Sequence, residues 1–325
     1  MAHNIIVTHD QIAPSAVRLL NDAGIAVHFS PPYTPSEELA EKARGLGVDA
    51  MMIRQGRITR EVLAASPKLK VVVKHGVGVD NIDLVAAADL GIPVLRSMGS
   101  NAAAVAELAI TLAFALVKEL PGLDNAIREG DWPKPRFIGR DIAGSHIGLV
   151  GYGAIGRETA RRAAALGMKV SVFDPFAADA VRADGHEAAG DLDALLPHLD
   201  VLSFHCPLTR ETRHLLNDER IARMKPTAVV VNTARGGVID EEALARALHE
   251  GRIGGAGLDG FSVEPIAADN PLRASPRTIL TPHIGGVTEA SSIAMAEIAA
   301  RHIISVLQGE SPDPRSLAHA AELAS

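Results

Sequence analysis

Three side chains on separate loops have the types that acid–base chemistry on a carboxylic acid requires. Arg235, in Asn232-Thr233-Ala234-Arg235-Gly236-Gly237, offers a planar guanidinium that can hold a carboxylate through two parallel hydrogen bonds. Glu264 lies in Asp259-Gly260-Phe261-Ser262-Val263-Glu264-Pro265, and His283 lies in Thr281-Pro282-His283-Ile284-Gly285-Gly286. An imidazole exchanges its proton near neutral pH, and a carboxylate beside it favours the protonated form. Singly, each has a plainer use: Arg235 as a surface charge, Glu264 as a solvated loop residue, His283 as a capping or core imidazole. All three, however, follow predicted strands, where open α/β sheets place their ligands.

A second constellation lies upstream. The apolar run 146–150 leads straight into Gly151-Tyr152-Gly153-Ala154-Ile155-Gly156, and a helix-forming segment, 154–166, follows. In that context the first glycine permits the tight turn, the second lets backbone approach a pyrophosphate, and the third lets helix and strand pack closely. The helix start presents unpaired N–H groups and the positive end of its dipole to phosphates. Glycine also marks any sharp turn, so the triplet alone is weak. Asp174 adds to it: it ends the next predicted strand, 169–173, eighteen positions beyond Gly156, where a ribose-binding carboxylate is expected at about 20. It would repel a 2′-phosphate, and Pro175 and Phe176 bring no positive charge, so NAD is expected over NADP.

These groups need a scaffold, and the patterning supplies one. Short β-branched runs at 4–7, 25–29, 50–53, 71–74 and 93–95 alternate with helix-like segments such as 36–46, which Ser36 could cap, and 83–90. After an apolar helix near 101–118 and the proline-rich connection Asp131-Trp132-Pro133-Lys134-Pro135, a second series begins, with strands at 146–150, 169–173, 201–204, 228–232, 255–258 and 278–280. A helix at 241–250 lies within it, and a last helix, 288–307, closes the chain. The fold class expected is α/β, with two doubly wound parallel-sheet domains. The length of 325 residues, at about 150 per domain, agrees with two.

At these segments the chain resembles the D-isomer-specific 2-hydroxyacid dehydrogenases. The Asn-Thr-Ala-Arg-Gly, Asp-x-Phe-x-x-Glu-Pro and Pro-His-Ile-Gly stretches match in order, as do 76–83 (Gly-Val-Gly-Val-Asp-Asn-Ile-Asp) and 101–107 upstream. The resemblance implies Arg235 as substrate anchor, His283 as proton donor and acceptor, and Glu264 as its partner. It implies a Rossmann nucleotide domain (101–287) inserted into a flavodoxin-like substrate-binding domain (1–100 with 288–325). It assigns Gly151, Gly153, Ala154, Ile155, Gly156, Asp174, His205, Cys206, Pro207, Thr209, Thr233, Ala234, Asp259, Gly285 and Gly286 to the cofactor. Val77, Gly78 and Asn101 are assigned to the substrate carboxylate. Short phosphoglycerate dehydrogenases are similar around Arg54 and Lys74, which could bind a second anionic group or be merely solvated loop ends. Asp259 could instead cap a loop. The helix near 101–118 becomes a linker and dimer contact, and a homodimer is expected.

Composition sets further expectations. With 32 Lys+Arg against 39 Asp+Glu the net charge is −7, and aromatics are 3% of the chain, so neither a nucleic-acid partner nor an anionic membrane partner is expected. The single cysteine, Cys206, cannot form an internal disulfide, and no histidine spacing resembles a metal site; a cytoplasmic setting and no metal are expected. The amino terminus lacks a signal-peptide pattern. The chain ends at Ser325, soon after the last helix, so feedback control through a regulatory extension is not expected. Two other readings stay open: an NADPH-linked glyoxylate or hydroxypyruvate reductase, and a non-enzymatic dinucleotide-sensing protein like the corepressors related to this family.

Overall fold

The computed structural model describes residues 3–318, in two compact units, Met1–Asn101 with Gly286–Ser325 and Ala102–Gly285. The first unit opens with β1 (His3–Val7), α1 (Pro14–Asp22), β2 (Ile25–Phe29), α2 (Ser36–Leu46), β3 (Ala50–Ile53), α3 (Arg60–Ala64), β4 (Val71–Lys74), α4 (Leu84–Asp89) and β5 (Val94–Arg96). Its strands are parallel in the order β2-β1-β3-β4-β5, the flavodoxin-like doubly wound arrangement. Successive side chains alternate between faces: Ile6, Met51, Ile53 and Val72 enter one apolar cluster, and Ile5, Val7, Met52, Val71 and Val73 enter the other. Both faces are therefore buried, as a parallel sheet with crossover helices requires, and each fully buried Ile or Val contributes about 1.5–3 kcal/mol. Asp83 caps α4, accepting from Ala86 N at 2.8 Å. Ser36 does not cap α2: Pro35 (φ −54°, ψ 144°) already supplies the entry geometry, and the Ser36 hydroxyl donates to Arg57 O at 3.0 Å.

The second unit contains α5 (Ala102–Val117), α6 (Leu120–Arg128), β6 (His146–Val150), α7 (Ala154–Ala165), β7 (Lys169–Phe173), α8 (Ala178–Ala183), β8 (Glu187–Ala188), α9 (Leu192–Leu195), β9 (Val201–Phe204), α10 (Asp218–Ile221), β10 (Val229–Asn232), α11 (Glu241–His249), β11 (Gly255–Leu258) and β12 (Thr278–Leu280). Its seven strands are parallel in the order β12-β11-β10-β9-β6-β7-β8. From β8 to β11 this is the dinucleotide-binding order, with β12 added at the far edge, and the direction of winding reverses between β6 and β9. Ligands of such sheets bind outside the carboxyl ends of the strands at that reversal.

The last helix, α12 (Glu289–Leu307), belongs to the first unit, where it packs on α1, β3 and β4 and buries Ala296, Ala299, Ala300 and Ile303 completely. Its length and composition would also suffice to cross a membrane. Thr288 closes its start with a capping box to Ser291. The units divide after Asn101 and after Gly285, not at 100 and 287. Asn101 lies so close to Gly286 that a Cβ there would stand 2.6 Å from Asn101 Nδ2, and Ser291 Oγ donates to Gly286 O at 2.6 Å, which ties both residues to α12. Residues 319–325, counted from sequence with the substrate-binding domain, lie outside the described residues.

Candidate functional site

At the reversal point β6 ends in Gly151, whose φ of 99° lies in the region open to glycine. A Cβ there would stand 2.8 Å from the His205 carbonyl and from Cys206 N, so only glycine lets the turn pass the end of β9. Gly156 makes the second close approach, since its Cβ would meet Gly151 O at 2.2 Å. A Cβ on Gly153 would meet no protein atom within 4 Å, and Gly153 caps α7 without a side-chain hydrogen bond. The first-turn N–H groups, from Ala154 and Ile155 onward, are thus left to an anion.

Asp174 is fixed beside this turn. Its Oδ2 accepts from Tyr152 N at 2.7 Å and its Oδ1 from Phe176 N at 2.9 Å, which leaves each oxygen a lone pair for a ribose hydroxyl. Tyr152 fastens the first turn of α7: its hydroxyl donates to Asp184 Oδ2 at 2.8 Å, and Arg157, ion-paired to the same oxygen at 2.9 Å, lies over its ring. Burial and Asp184 push the Tyr152 phenol up to about 12. Past β9, burial holds His205 down to about 4, so its ring is neutral; Nε2 meets Ser203 Oγ at 3.0 Å, while buried Nδ1 has no partner among the described residues. Burial pushes the Cys206 thiol up to about 12, so it is no nucleophile. Pro207 and Thr209 form a turn tied by Thr212, whose Oγ1 donates to Pro207 O and accepts from Thr209 N, both at 2.7 Å.

The three loops after β10, β11 and β12 interlock. Asn232 closes the first: its Oδ1 accepts from Ala234 N at 3.0 Å and its Nδ2 donates to Arg235 O at 2.8 Å. Sequence reasoning passed over Asn232, although an Asn whose side-chain oxygen can accept from the N–H two residues on is an Asx-turn signal. Buried Thr233 leaves its Oγ1 without a partner among the described residues. Gly236 presses the loop against the next one: a Cβ on it would stand 2.0 Å from Phe261 C and 2.2 Å from Ser262 N. Asp259 is buried, and its carboxylate accepts from Thr281 Oγ1 at 2.6 Å, Ile284 N at 2.8 Å and Gly285 N at 2.7 Å, which bolts the His283 loop to the end of β11. The assignment of Asp259 to the cofactor came from resemblance; its contacts here brace His283. His283 itself has φ 55°, a left-handed conformation that few non-glycine residues adopt.

This framework brings Glu264 and His283 together, with His283 Nδ1 at 2.8 and 3.0 Å from the two carboxylate oxygens. Glu264 Oε1 also accepts from Phe261 N at 3.0 Å, which fixes the carboxylate before it meets the ring. The hydrogen bond to Glu264 holds the imidazole above its usual value against burial and the Arg235 charge. Burial works to raise the Glu264 carboxyl, but His283, Phe261 N and Arg235 together hold it below the ordinary range. Arg235, whose Nη1 donates to Ala234 O at 2.8 Å, is therefore within electrostatic reach of both partners. With Nδ1 engaged by the carboxylate, Nε2 is the ring position left to exchange a proton with a ligand.

The residues expected to hold substrate from the other series belong to the first unit. Val77 and Gly78 follow β4, and their N–H groups have no backbone partner among the described residues. Lys74 is committed to the scaffold, donating to Arg54 O at 3.1 Å and Asn81 Oδ1 at 2.8 Å. Arg54 keeps a half-buried guanidinium. Asn101 lies against Gly286. Among the described residues no group of three or more His, Cys, Asp or Glu side chains is arranged to hold a metal.

Comparison with known proteins places these residues in context. The family model "D-isomer specific 2-hydroxyacid dehydrogenase, NAD binding domain" matches residues 110–285. The chain is 40% identical over 308 residues to the D-3-phosphoglycerate dehydrogenase of Methanocaldococcus jannaschii, covering 94% of this chain but 58% of that longer protein. It is also 40% identical over 315 residues to the glyoxylate reductase of Thermofilum pendens, covering 95% and 92% of the two chains. Among solved structures, the TT0316 protein of Thermus thermophilus is similar over 97% of this chain and 99% of that one, with a TM-score of 0.85 and 35% identity.

Proposed function

From the premise that the chain belongs to the D-isomer-specific 2-hydroxyacid dehydrogenases, we propose that it is an NAD-dependent oxidoreductase acting on the CH–OH group of a D-2-hydroxy acid, or in reverse on the 2-keto acid. The observation that carries this is the Glu264–His283 pair at 2.8 Å, held within reach of the Arg235 charge. In the reducing direction charge develops on the carbonyl oxygen, and His283 gives it the Nε2 proton; in oxidation the neutral ring takes the hydroxyl proton. Arg235 holds the substrate carboxylate through its planar fork. Glu264 keeps the imidazole charged until the proton leaves.

The open Gly153 backbone, the uncapped start of α7, the spare lone pairs of Asp174 and the orphaned Thr233 and His205 atoms fit a dinucleotide. When bound, the nicotinamide supplies the hydride or accepts it. Asp174, with no cation at 175 or 176, supports NAD over NADP. The test is a panel of 2-keto acids (phosphohydroxypyruvate, hydroxypyruvate, glyoxylate, pyruvate) with NADH and NADPH, followed at the nicotinamide absorbance band. NADH-linked turnover of at least one acid is expected, with Asp174→Ala narrowing the preference for NADH. No turnover of any acid with either coenzyme would sink the reading.

Assembly as a homodimer in the cytoplasm completes the proposal. Leu120, Ile127, Trp132 and Ile138, between 50% and 91% exposed on and after α6, support a partner-covered apolar surface. Sedimentation at micromolar protein is expected to give the dimer mass, and a monomer throughout would contradict it.

A further inference from the structure

The coenzyme end of the second unit holds a cation that positions 175 and 176 do not supply. Arg157 closes the first turn of α7, its N–H donating to Gly153 O at 3.0 Å, and its guanidinium lies over the Tyr152 ring, with Cζ 4.9 Å from the centroid. Tyr152 links that guanidinium to the carboxylate expected to select the coenzyme, because its own N–H donates to Asp174 Oδ2 at 2.7 Å. A guanidinium in this neighbourhood is the group that accommodates a ribose 2′-phosphate. Here it is engaged elsewhere. Arg157 Nη1 donates to Asp184 Oδ2 at 2.9 Å, and the Tyr152 hydroxyl donates to the same oxygen at 2.8 Å. The excursion that begins just past Asp174 brings Asp184 there: it ends α8 with its N–H donating to Ala180 O at 3.0 Å, and Gly185, at φ 83°, turns the chain away. His186 then stands edge-on to the Tyr152 ring, 6.3 Å between centroids. The Arg157 and Asp184 side chains are each a little under half exposed, so their pairing adds little to stability. Its consequence lies in where it keeps the positive charge.

We propose that Asp184 is a specificity-determining residue for the coenzyme: it holds Arg157 against the Tyr152 ring and so withholds that guanidinium from a ribose 2′-phosphate. The inference rests on the NAD-dependent reading and adds a second determinant to Asp174. The unphosphorylated coenzyme offers Asp174 two hydroxyls and has no need of Arg157. The 2′-phosphorylated coenzyme meets the Asp174 charge and finds the neighbouring cation already neutralised. Discrimination is thus built by masking an attraction as well as by repulsion. Without the Asp184 carboxylate, Arg157 keeps only the ring face, and its flexible stem leaves the guanidinium free to turn to the phosphate.

The test measures Kd for NADH and NADPH by fluorescence titration in wild type, Asp184→Ala and Asp184→Asn, and in each of these combined with Arg157→Gln. Asp184→Ala should lower the NADH-over-NADPH affinity ratio about tenfold, chiefly by tightening NADPH, the low end for a hydrogen bond to a charged group because the pair is partly solvated. Asp184→Asn, whose amide oxygen still accepts from Arg157, should shift the ratio less, and it carries the test if Asp184→Ala does not fold. Adding Arg157→Gln should return the ratio to within about threefold of wild type. Salt at about 1 M, which screens charges beyond about 3 Å, should shrink the shift. A lost structural brace would weaken both coenzymes alike and leave the ratio where it was. An unmoved ratio in the Asp184 variants, or a shift that persists after Arg157→Gln, would overturn the masking while leaving the NAD-dependent reading intact. A wild type that binds NADPH more tightly would instead overturn the choice of NAD drawn from Asp174, and the shift in the Asp184 variants would still decide the masking. Binding of neither coenzyme to wild type would end both.

Discussion

His283→Gln is expected to lower kcat by about 10²- to 10⁴-fold, the usual contribution of a positioned acid–base group, with little change in NADH binding. Glutamine keeps the bulk and can still donate to Glu264, so the loss isolates proton transfer from loop collapse. A loss below about tenfold would remove His283 from the chemistry. The companion variant Glu264→Gln reads the coupling through pH. Because the carboxylate raises the imidazole, reduction, which needs the charged ring, should persist in wild type above the unperturbed value of about 6.5 and fall as pH rises through the raised value. Without the carboxylate that falling limb should move to lower pH, and oxidation, which needs the neutral ring, should extend to lower pH as well. pH profiles of kcat/KM in both directions check this, and unmoved limbs would refute the pairing.

Gly236→Ala should be nearly as damaging, although it touches no reacting atom. Its added methyl would stand 2.0 Å from backbone carbon of Phe261, and backbone cannot yield as a side-chain tip can. The Arg235 loop and the Glu264 loop must separate, and a misplacement of about 1 Å at a reacting centre costs on the order of 100-fold. A fall of that size in kcat/KM is expected, with NADH affinity by fluorescence titration weakened to a lesser degree, because the Gly151–Gly156 turn is built separately while Thr233 and Ala234 share the displaced loop. Gly237→Ala is the control. The three atoms nearest its methyl all belong to the Leu208 side chain, the first at 2.9 Å, and a leucine tip can shift. Full activity in Gly236→Ala, or equal loss in Gly237→Ala, would show that the loops are not coupled in this way.

Much of this was legible in the residues, for reasons that differ by element. Runs such as Val71–Lys74 and Val229–Asn232 are too short and too β-branched for helices, and glycines at fixed offsets after a strand have few other physical uses. The two-residue strand Glu187–Ala188 and the helix Leu120–Arg128, which buries none of its residues, have no periodic signal to find. At the site, residue type and motif pointed to Arg235, Glu264 and His283. They did not reveal that Asp259 spends its carboxylate on the His283 loop, that Lys74 ties down Arg54 O, or that Pro35 takes the cap position from Ser36. Each of those depends on which backbone groups lie within 3 Å, and that is decided by packing between distant segments.

The discontinuity of the first unit bears on how a nascent chain matures on the ribosome. The sheet face formed by Ile5, Val7, Met52, Val71 and Val73 is sealed by Ala296, Ala299, Ala300 and Ile303, which are translated after the whole of Ala102–Gly285. The contiguous second unit can finish its own core while that greasy surface still waits for its cover. Throughout that interval the early segment is what holdase chaperones must shield from clumping, and a message broken before codon 289 would yield a product that no refolding can rescue.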